Sequence, residues 1–353
     1  SYNRGGLEPT CTDADLVLGY LDPDYFAGGK YPLHVEKTRE IIASRLGDSI
    51  GLNEQQTAAG MYRVINMNMA QGVRQVSVER GYDPREFLLI CAGGAGAIHA
   101  GEICRELEIP MFLVPAVASI FCAAGMLLGD LKHDYVRSYI SNYSDVDRDR
   151  FLALYHEMRE EARSTLLEEG IEAKNIEYYP SLDLRYLGQF HEVPLEVSME
   201  DILDFKLMDM KEAFHKEHNR KYGYELKSEG TELELINARL RAVGITEKPH
   251  SLSAKENIPK SDVKQAFKGK RMAYVPEADE MQEMAVYDGD KLGESITIKG
   301  PAIIEQVNTT LFLSSSYHCE TIIGGSFLVY NKILLPDGYA KNSSTTEMST
   351  LHG

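Results

Sequence analysis

Residues 87–115 read FLLICAGGAGAIHAGEICRELEIPMFLVP, and the fold turns on how this stretch is parsed. An apolar run, Phe87–Cys91, precedes a glycine cluster of Gly93, Gly94 and Gly96. A helical pattern follows from Ala97 to Leu107, and a second apolar run occupies Met111–Val114. The order is strand, glycine loop, helix, strand. Glycine lets a backbone come close to a ligand because no Cβ intervenes. The start of the following helix offers unpaired N–H groups and a partial positive charge, which suits an anion such as phosphate. The loop is therefore either a nucleotide or phosphate cradle, or a tight turn that packs helix on strand with no ligand. A dinucleotide-binding loop, the mark of a Rossmann-type NAD-binding protein, fits less well. Gly94-Ala95-Gly96 supplies its first two glycines, but His99 stands where the third belongs. The second strand ends in Pro115, with no acidic residue to hold a ribose.

Outward from this stretch, 353 residues leave room for two or three domains with a sizeable core. Hydrophobic residues make up 43% and charged residues 26%, the balance of a globular chain. A net charge of −17 argues against nucleic acid as a partner, because binding a polyanion needs a basic face. The five cysteines stand singly with no CxxC pair, which suits a reducing, cytoplasmic setting. Residues 109–129 carry no charge, yet Pro110 and Pro115 interrupt them. A buried strand, a loop and a core helix are expected there, not a membrane span. There is no GxxxxGK[ST], HExxH or GxSxG, so P-loop, zinc-protease and α/β-hydrolase chemistry lack support.

The periodicities give a coarse map. Thr12 is expected to cap a short helix, and Asn53 a long one to about Glu79. In the long helix Ala58, Met61, Ile65, Met69, Val73 and Val76 form one apolar stripe. His133 beside Asp134 is a candidate acid–base pair, with a structural pair as the plainer alternative. A charged amphipathic helix spans 146–169, and strands over 181–186 and 191–197 meet at Gly188-Gln189 as a hairpin. His215 and His218 have metal-ligand spacing on a helix but no obvious further ligand. After a polar boundary at 251–269, seven short strands up to Tyr330 read as a small all-β domain. The opening SYNRGG looks cut from something longer, and the last residues, 341–353, read as a disordered tail.

Seven segments in order resemble the A-type subunits of ATP-dependent hydantoinases, oxoprolinases and acetone or acetophenone carboxylases. They are residues 6–19 (GLEPTCTDADLVLG), 77–85 (SVERGYDPR), 92–100 (AGGAGAIHA), 133–135 (HDY), 185–189 (RYLGQ), 220–224 (RKYGY) and 300–306 (GPAIIEQ). That family is similar to the actin, sugar-kinase and heat-shock-chaperone ATPases. The resemblance implies an α/β fold: one lobe of an actin-like (ribonuclease-H-like) ATPase over 1–140, an α+β segment over 141–250 and a small β domain over 251–340. It also implies that Gly93, Gly94, Ala95 and Gly96 line the adenosine side of an ATP site, with His99 nearby. ATP and Mg²⁺ would phosphorylate a cyclic amide or a ketone enolate, so that phosphate becomes the leaving group. No counterpart of the family's first lobe, with its Asp-x-Gly-type phosphate loop, is present. The expected partners are therefore the N-terminal half of an A-type subunit, a B-type hydantoinase subunit and a small lactam or ketone. Alone, the chain is expected to be inactive. The competing function is a non-catalytic assembly module of such a complex.

Overall fold

Two very short strands flank the glycine loop. Strand β1 (Leu89–Ile90) and strand β2 (Met111–Val114) run parallel, joined by the helix Gly96–Leu107. The computed structural model describes residues 1–249 and 263–335, so the expected tail at 341–353 lies outside the described residues. Two strands of this length cannot hold a sheet by themselves. The sheet is completed from far along the chain, by β9 (Thr297–Lys299), β12 (Tyr317–Ile322) and β13 (Ser326–Asn331). Its order is β1-β2-β13-β12-β9, with β13 antiparallel to β2. A second sheet, in the order β11-β10-β8-β7, is built from β7 (Phe267–Val275), β8 (Glu280–Asp288), β10 (Ala302–Gln306) and β11 (Thr309–Leu313).

The strands expected after residue 267 are thus all present, but they divide between two sheets, and one of these includes β1 and β2. Contacts accordingly group residues 263–335 with 1–125 as one unit, and 126–249 as another. In the first unit β10 is buried on both faces. Ile304 packs with Leu311, Phe112 and Val329, whereas Ile303 packs with Phe312, Tyr20 and Tyr62. A strand covered on both faces reads as a continuous apolar run, as AII does here. The helix Gly96–Leu107 likewise serves both clusters, with Ile98 in one and Ala97, Ile103 and Cys104 in the other.

The second unit is an antiparallel sheet in the order β3-β6-β4-β5, from β3 (Leu131–Asn142), β4 (Ile176–Tyr186), β5 (Val193–Glu196) and β6 (Leu233–Gly244). The helices Arg148–Glu168 and Leu207–Tyr222 contribute Phe151, Tyr155, Met158 and Phe214 to its core. The hairpin at Gly188-Gln189 pairs β4 with β5 as expected.

Three local expectations differ from the structure. The first helix, Cys11–Val17, is capped by Thr10, because Thr10 and Asp13 bond each other's backbone N–H in a capping box. The long helix, Glu54–Val76, is capped by Asn53 as expected, and Ala58, Met61, Met69 and Val73 of the stripe meet the cores, but the buried face extends further, through Ala59, Tyr62, Asn66 and Ala70. Val76, assigned to the apolar stripe, is 59% exposed, whereas Tyr62 and Asn66 are buried, with Tyr62 OH on Ile98 O and Asn66 Oδ1 facing His99 Nδ1. The helix Phe121–Leu128, expected in the core, exposes Met126, Leu127 and Leu128. Among the described residues no helix is long and apolar enough to cross a membrane.

Candidate functional site

A cleft of about 240 Å³ opens beside the glycine loop. Three segments wall it: Thr12 to Ala27 through Asp15, Asp22, Tyr25 and Phe26; the loop through Gly94, Ala95 and Ile98; and the β10–β11 hairpin through residues 305–310. All three contain stretches singled out by the resemblance. Of the expected site residues, Gly94 and Ala95 border the cleft. Gly93, Gly96 and His99 do not.

The glycines have separate causes. Gly93 has φ +105°, a backbone conformation that an L side chain resists, and its N–H donates to Ala118 O at 2.7 Å. At Gly94 the constraint is contact: a Cβ would lie 2.7 Å from Asn308 O at the hairpin tip. Thr309 Oγ1 donates to Gly94 O at 2.8 Å, locking hairpin to loop. Gly94→Ala must push the hairpin back, and about 1–3 kcal/mol of destabilisation is expected from such overpacking. A lowered calorimetric midpoint for the variant checks this. An unchanged midpoint would show that the tip yields freely.

The helix Gly96–Leu107 begins with no side-chain cap, so its first N–H groups keep their partial positive charge. His99, in its first turn, is buried against two other helices, Cys11–Val17 and Glu54–Val76. Its Nδ1 lies 2.9 Å from Asn66 Oδ1 and its Nε2 lies 3.5 Å from Asp15 Oδ2. The ring stacks on Tyr62 at 5.1 Å, and Tyr62 OH donates to Ile98 O at 2.9 Å. Burial pushes the Asp15 carboxyl above the usual carboxylate range, opposed by its contact with His99. The other oxygen, Asp15 Oδ1, is buried without a hydrogen-bond partner.

Electrostatically the cleft is acidic. Glu305, 1% exposed, lies between Lys268 Nζ and Arg271 Nη2, each 2.5 Å away. Arg271 also donates to Asp22 at 3.0 Å, and the Lys268 ammonium sits 3.5 Å from the Tyr25 ring centre. Both cations are committed to carboxylates, and among the described residues no lysine, arginine or histidine lines the cleft. Among the described residues no cluster of three or more His, Cys, Asp or Glu could hold a metal ion.

The remaining candidates resolve into structural roles. His133 pairs with Glu169 at 2.9 Å, while the adjacent Asp134 turns away to Arg241. His215 and His218 do not converge on a metal. His215 Nδ1 lies 2.7 Å from Tyr186 OH, and His218 Nδ1 faces Tyr224 O at 2.9 Å. Burial lowers the His215 pKa from 6.5. A histidine held neutral in the fold stabilises it above its unfolded pKa, and that stability is lost as pH falls through the folded value. The second unit should therefore unfold at lower temperature as pH drops below about 6.5, and His215→Phe should flatten this slope. Equal slopes in the two proteins would contradict that. All five cysteines are free; Cys91, Cys104 and Cys319 are buried, and burial pushes Cys91 up to about 12.

Comparison with known proteins shows what this arrangement belongs to. Residues 1–135 match the family model described as hydantoinase/oxoprolinase, and residues 146–323 match the hydantoinase/oxoprolinase C-terminal domain. The caprolactamase subunit alpha of Pseudomonas jessenii is 33% identical over 88% of this chain and 45% of its own length. The acetophenone carboxylase gamma subunit of Aromatoleum aromaticum is 31% identical over 88% of this chain and 43% of its own. Arabidopsis thaliana 5-oxoprolinase 1 is 29% identical over 91% of this chain and 26% of its own. The chain thus spans less than half the length of these relatives.

Among solved structures, nucleotide-free acetone carboxylase superposes with a TM-score of 0.78 at 23% identity, covering 94% of this chain and 48% of that one. The Pseudomonas jessenii ATP-dependent caprolactamase gives 0.70 at 30% identity, with the same coverage. The fold is a lobe of the actin-like ATPase kind with an α+β segment and C-terminal β strands. With both family models in sequence order and together spanning most of its length, the chain belongs to the hydantoinase/oxoprolinase family.

Proposed function

We propose that this chain supplies the adenosine-side wall of an ATP site in a subunit that activates a cyclic amide or a ketone by phosphorylation. The observation that carries this is the cleft beside Gly94 and Ala95, at the start of an uncapped helix. The residues present fit one end of the nucleotide. Tyr25, Phe26, Leu21 and Ile98 give a partly apolar wall for a heterocycle, and Thr309 and Thr310 add polar groups. They do not fit the other end. A triphosphate with Mg²⁺ needs cations or carboxylates free to meet it, whereas Lys268 and Arg271 are engaged by Glu305 and Asp22.

When bound, ATP would turn the carbonyl oxygen of the substrate into a phosphate leaving group. The phosphate-binding side and the Mg²⁺ ligands would then come from outside these residues, and a B-type subunit would be the partner. A membrane-independent, cytoplasmic setting suits such a complex. The test is photocrosslinking of 8-azido-ATP to a complex reconstituted with the missing half of the subunit. Labelled peptides from 93–99 or 305–310 are expected. Labelling confined to the second unit would overturn the assignment.

A second reading, a non-catalytic assembly module, draws on the apolar helix Phe121–Leu128, whose Met126 is 81% and Leu127 62% exposed. Exposed apolar surface of this kind marks contact with further protein. It is compatible with the first reading and gains weight only if the reconstituted complex fails to turn over ATP.

A further inference from the structure

A second pocket, of about 180 Å³, adjoins the cleft and has the opposite character. Tyr2 borders both. The helix Cys11–Val17 and its cap run past both, with Thr12 and Asp15 on the cleft and Thr10 and Asp13 on the pocket. Where the cations nearest the cleft, Lys268 and Arg271, are held by carboxylates, this pocket is lined by Arg4, His34 and Lys37. Among the described residues neither Arg4 nor Lys37 forms an ion pair. Lys37 Nζ donates to the neutral Asn3 Oδ1 at 2.9 Å, and Asn3 is itself part of the lining. The Arg4 guanidinium lies 5.9 Å over the Tyr31 ring. An ammonium carries three donors and a guanidinium five, so both keep donors to spare.

Two carboxylates also border the pocket, and both are turned to other partners. Asp13 accepts from Ser1 N, Thr10 N and Thr10 Oγ1. The Glu8 side chain is 82% exposed, and the cation it faces is Arg45, at 3.9 Å. Hydrogen bonds from a cation to an oxyanion are shorter and stronger than neutral ones, and a guanidinium can grip two oxygens at once. We propose that this pocket is an oxyanion site, in which Arg4 and Lys37, with the His34 imidazole alongside, take the carboxylate or phosphate group of a small molecule. Two sources share that chemistry: a phosphate, free or on a nucleotide, and the carboxylate of an acidic substrate. The site goes beyond the nucleotide reading and does not rest on it.

The test uses the full chain with inorganic phosphate, 5-oxoproline, caprolactam and ATP as probes, read by ³¹P line broadening and saturation-transfer NMR. Phosphate or 5-oxoproline is expected to bind with a dissociation constant on the order of 1 mM, and less well as added salt screens the cations. Arg4→Gln and Lys37→Gln should each weaken the anion about fivefold. Glu8→Gln removes a like charge and should tighten it, a gain that damage to the fold cannot produce. Caprolactam, which is uncharged, should be indifferent to all three. Phosphate binding that depends on Arg4 and Lys37, without binding of 5-oxoproline, identifies a phosphate as the occupant, and the reverse identifies a substrate carboxylate. ATP binding with the same dependence would uphold the site and bring part of the phosphate side into this chain. Should thermal unfolding show that a cation variant fails to fold, Glu8→Gln carries the comparison, and binding that it leaves unchanged counts against the site. Anion binding equal in the parent, Arg4→Gln and Lys37→Gln, or no anion binding at all, would overturn the proposal and leave the placing of adenosine in the cleft untouched.

Discussion

Purified alone, this chain is expected to release no ADP from ATP–Mg²⁺ above background, with or without a lactam or ketone present. Phosphoryl transfer is almost entirely positioning and charge stabilisation at the phosphates, and among the described residues the cleft presents three carboxylates and no cation. Losing even one well-placed charge-stabilising group lowers turnover by about 10²–10³, and on the proposed reading the whole phosphate-binding side lies outside these residues. Co-expression with the missing half of an A-type subunit and with a B-type subunit should raise the rate by at least that factor. ADP release assayed against a panel of lactams and ketones then separates amide hydrolysis from carboxylation by its bicarbonate requirement. Steady turnover by the lone chain would refute the division of labour proposed here. Silence from the complete complex, with the proteins shown to associate, would favour the assembly role.

The second large effect concerns stability. Glu305 is almost wholly buried, and its two oxygens hold Lys268 and Arg271, which themselves are only partly exposed. Removing one partner of a buried pair leaves uncompensated charge, typically 3–5 kcal/mol. Solvent reaches both cations, so the lower end, about 3 kcal/mol, is expected for Glu305→Ala. For a unit of this size that lowers the midpoint by about 6–12 °C. Adding Lys268→Met to Glu305→Ala should restore part of the loss, because one stranded charge is then gone. A Glu305→Ala midpoint within 2 °C of the parent would show the network to be decorative. Arg271 also reaches Asp22, so the same substitution should loosen that wall of the cleft.

The strand–loop–helix–strand core was plain in the sequence because glycine cluster and apolar runs fall in register with local chemistry. So were β10 and β11, whose residues 302–306 and 309–313 match the expected strands. The partnership of β2 with β13 was not, since strand pairing across some two hundred residues leaves no local trace. Apolar periodicity found one flank of the buried face of Glu54–Val76 and left out its polar flank. Asn66 and Tyr62 look like surface residues until Asn66 Oδ1 is seen against His99 and Tyr62 OH on Ile98 O. Asp15, Asp22 and Glu305 were missed as cleft residues for a related reason: a lone carboxylate in sequence reads as solvated. The available signal was that the segments holding Asp15, Gly94 and Glu305 were three of the seven carrying the family resemblance.

The late completion of the glycine-loop sheet bears on biosynthesis. As the chain leaves the ribosome, β1 and β2 emerge with an open edge and must wait for β13, while the entire second unit is synthesised in between. That unit is continuous and can collapse first. Its host cannot, and an unpaired edge is where nascent chains stick to one another. Ribosomal stalling or proteolysis before Ser326 should therefore yield insoluble material, whereas a fragment of 126–249 should stay in solution.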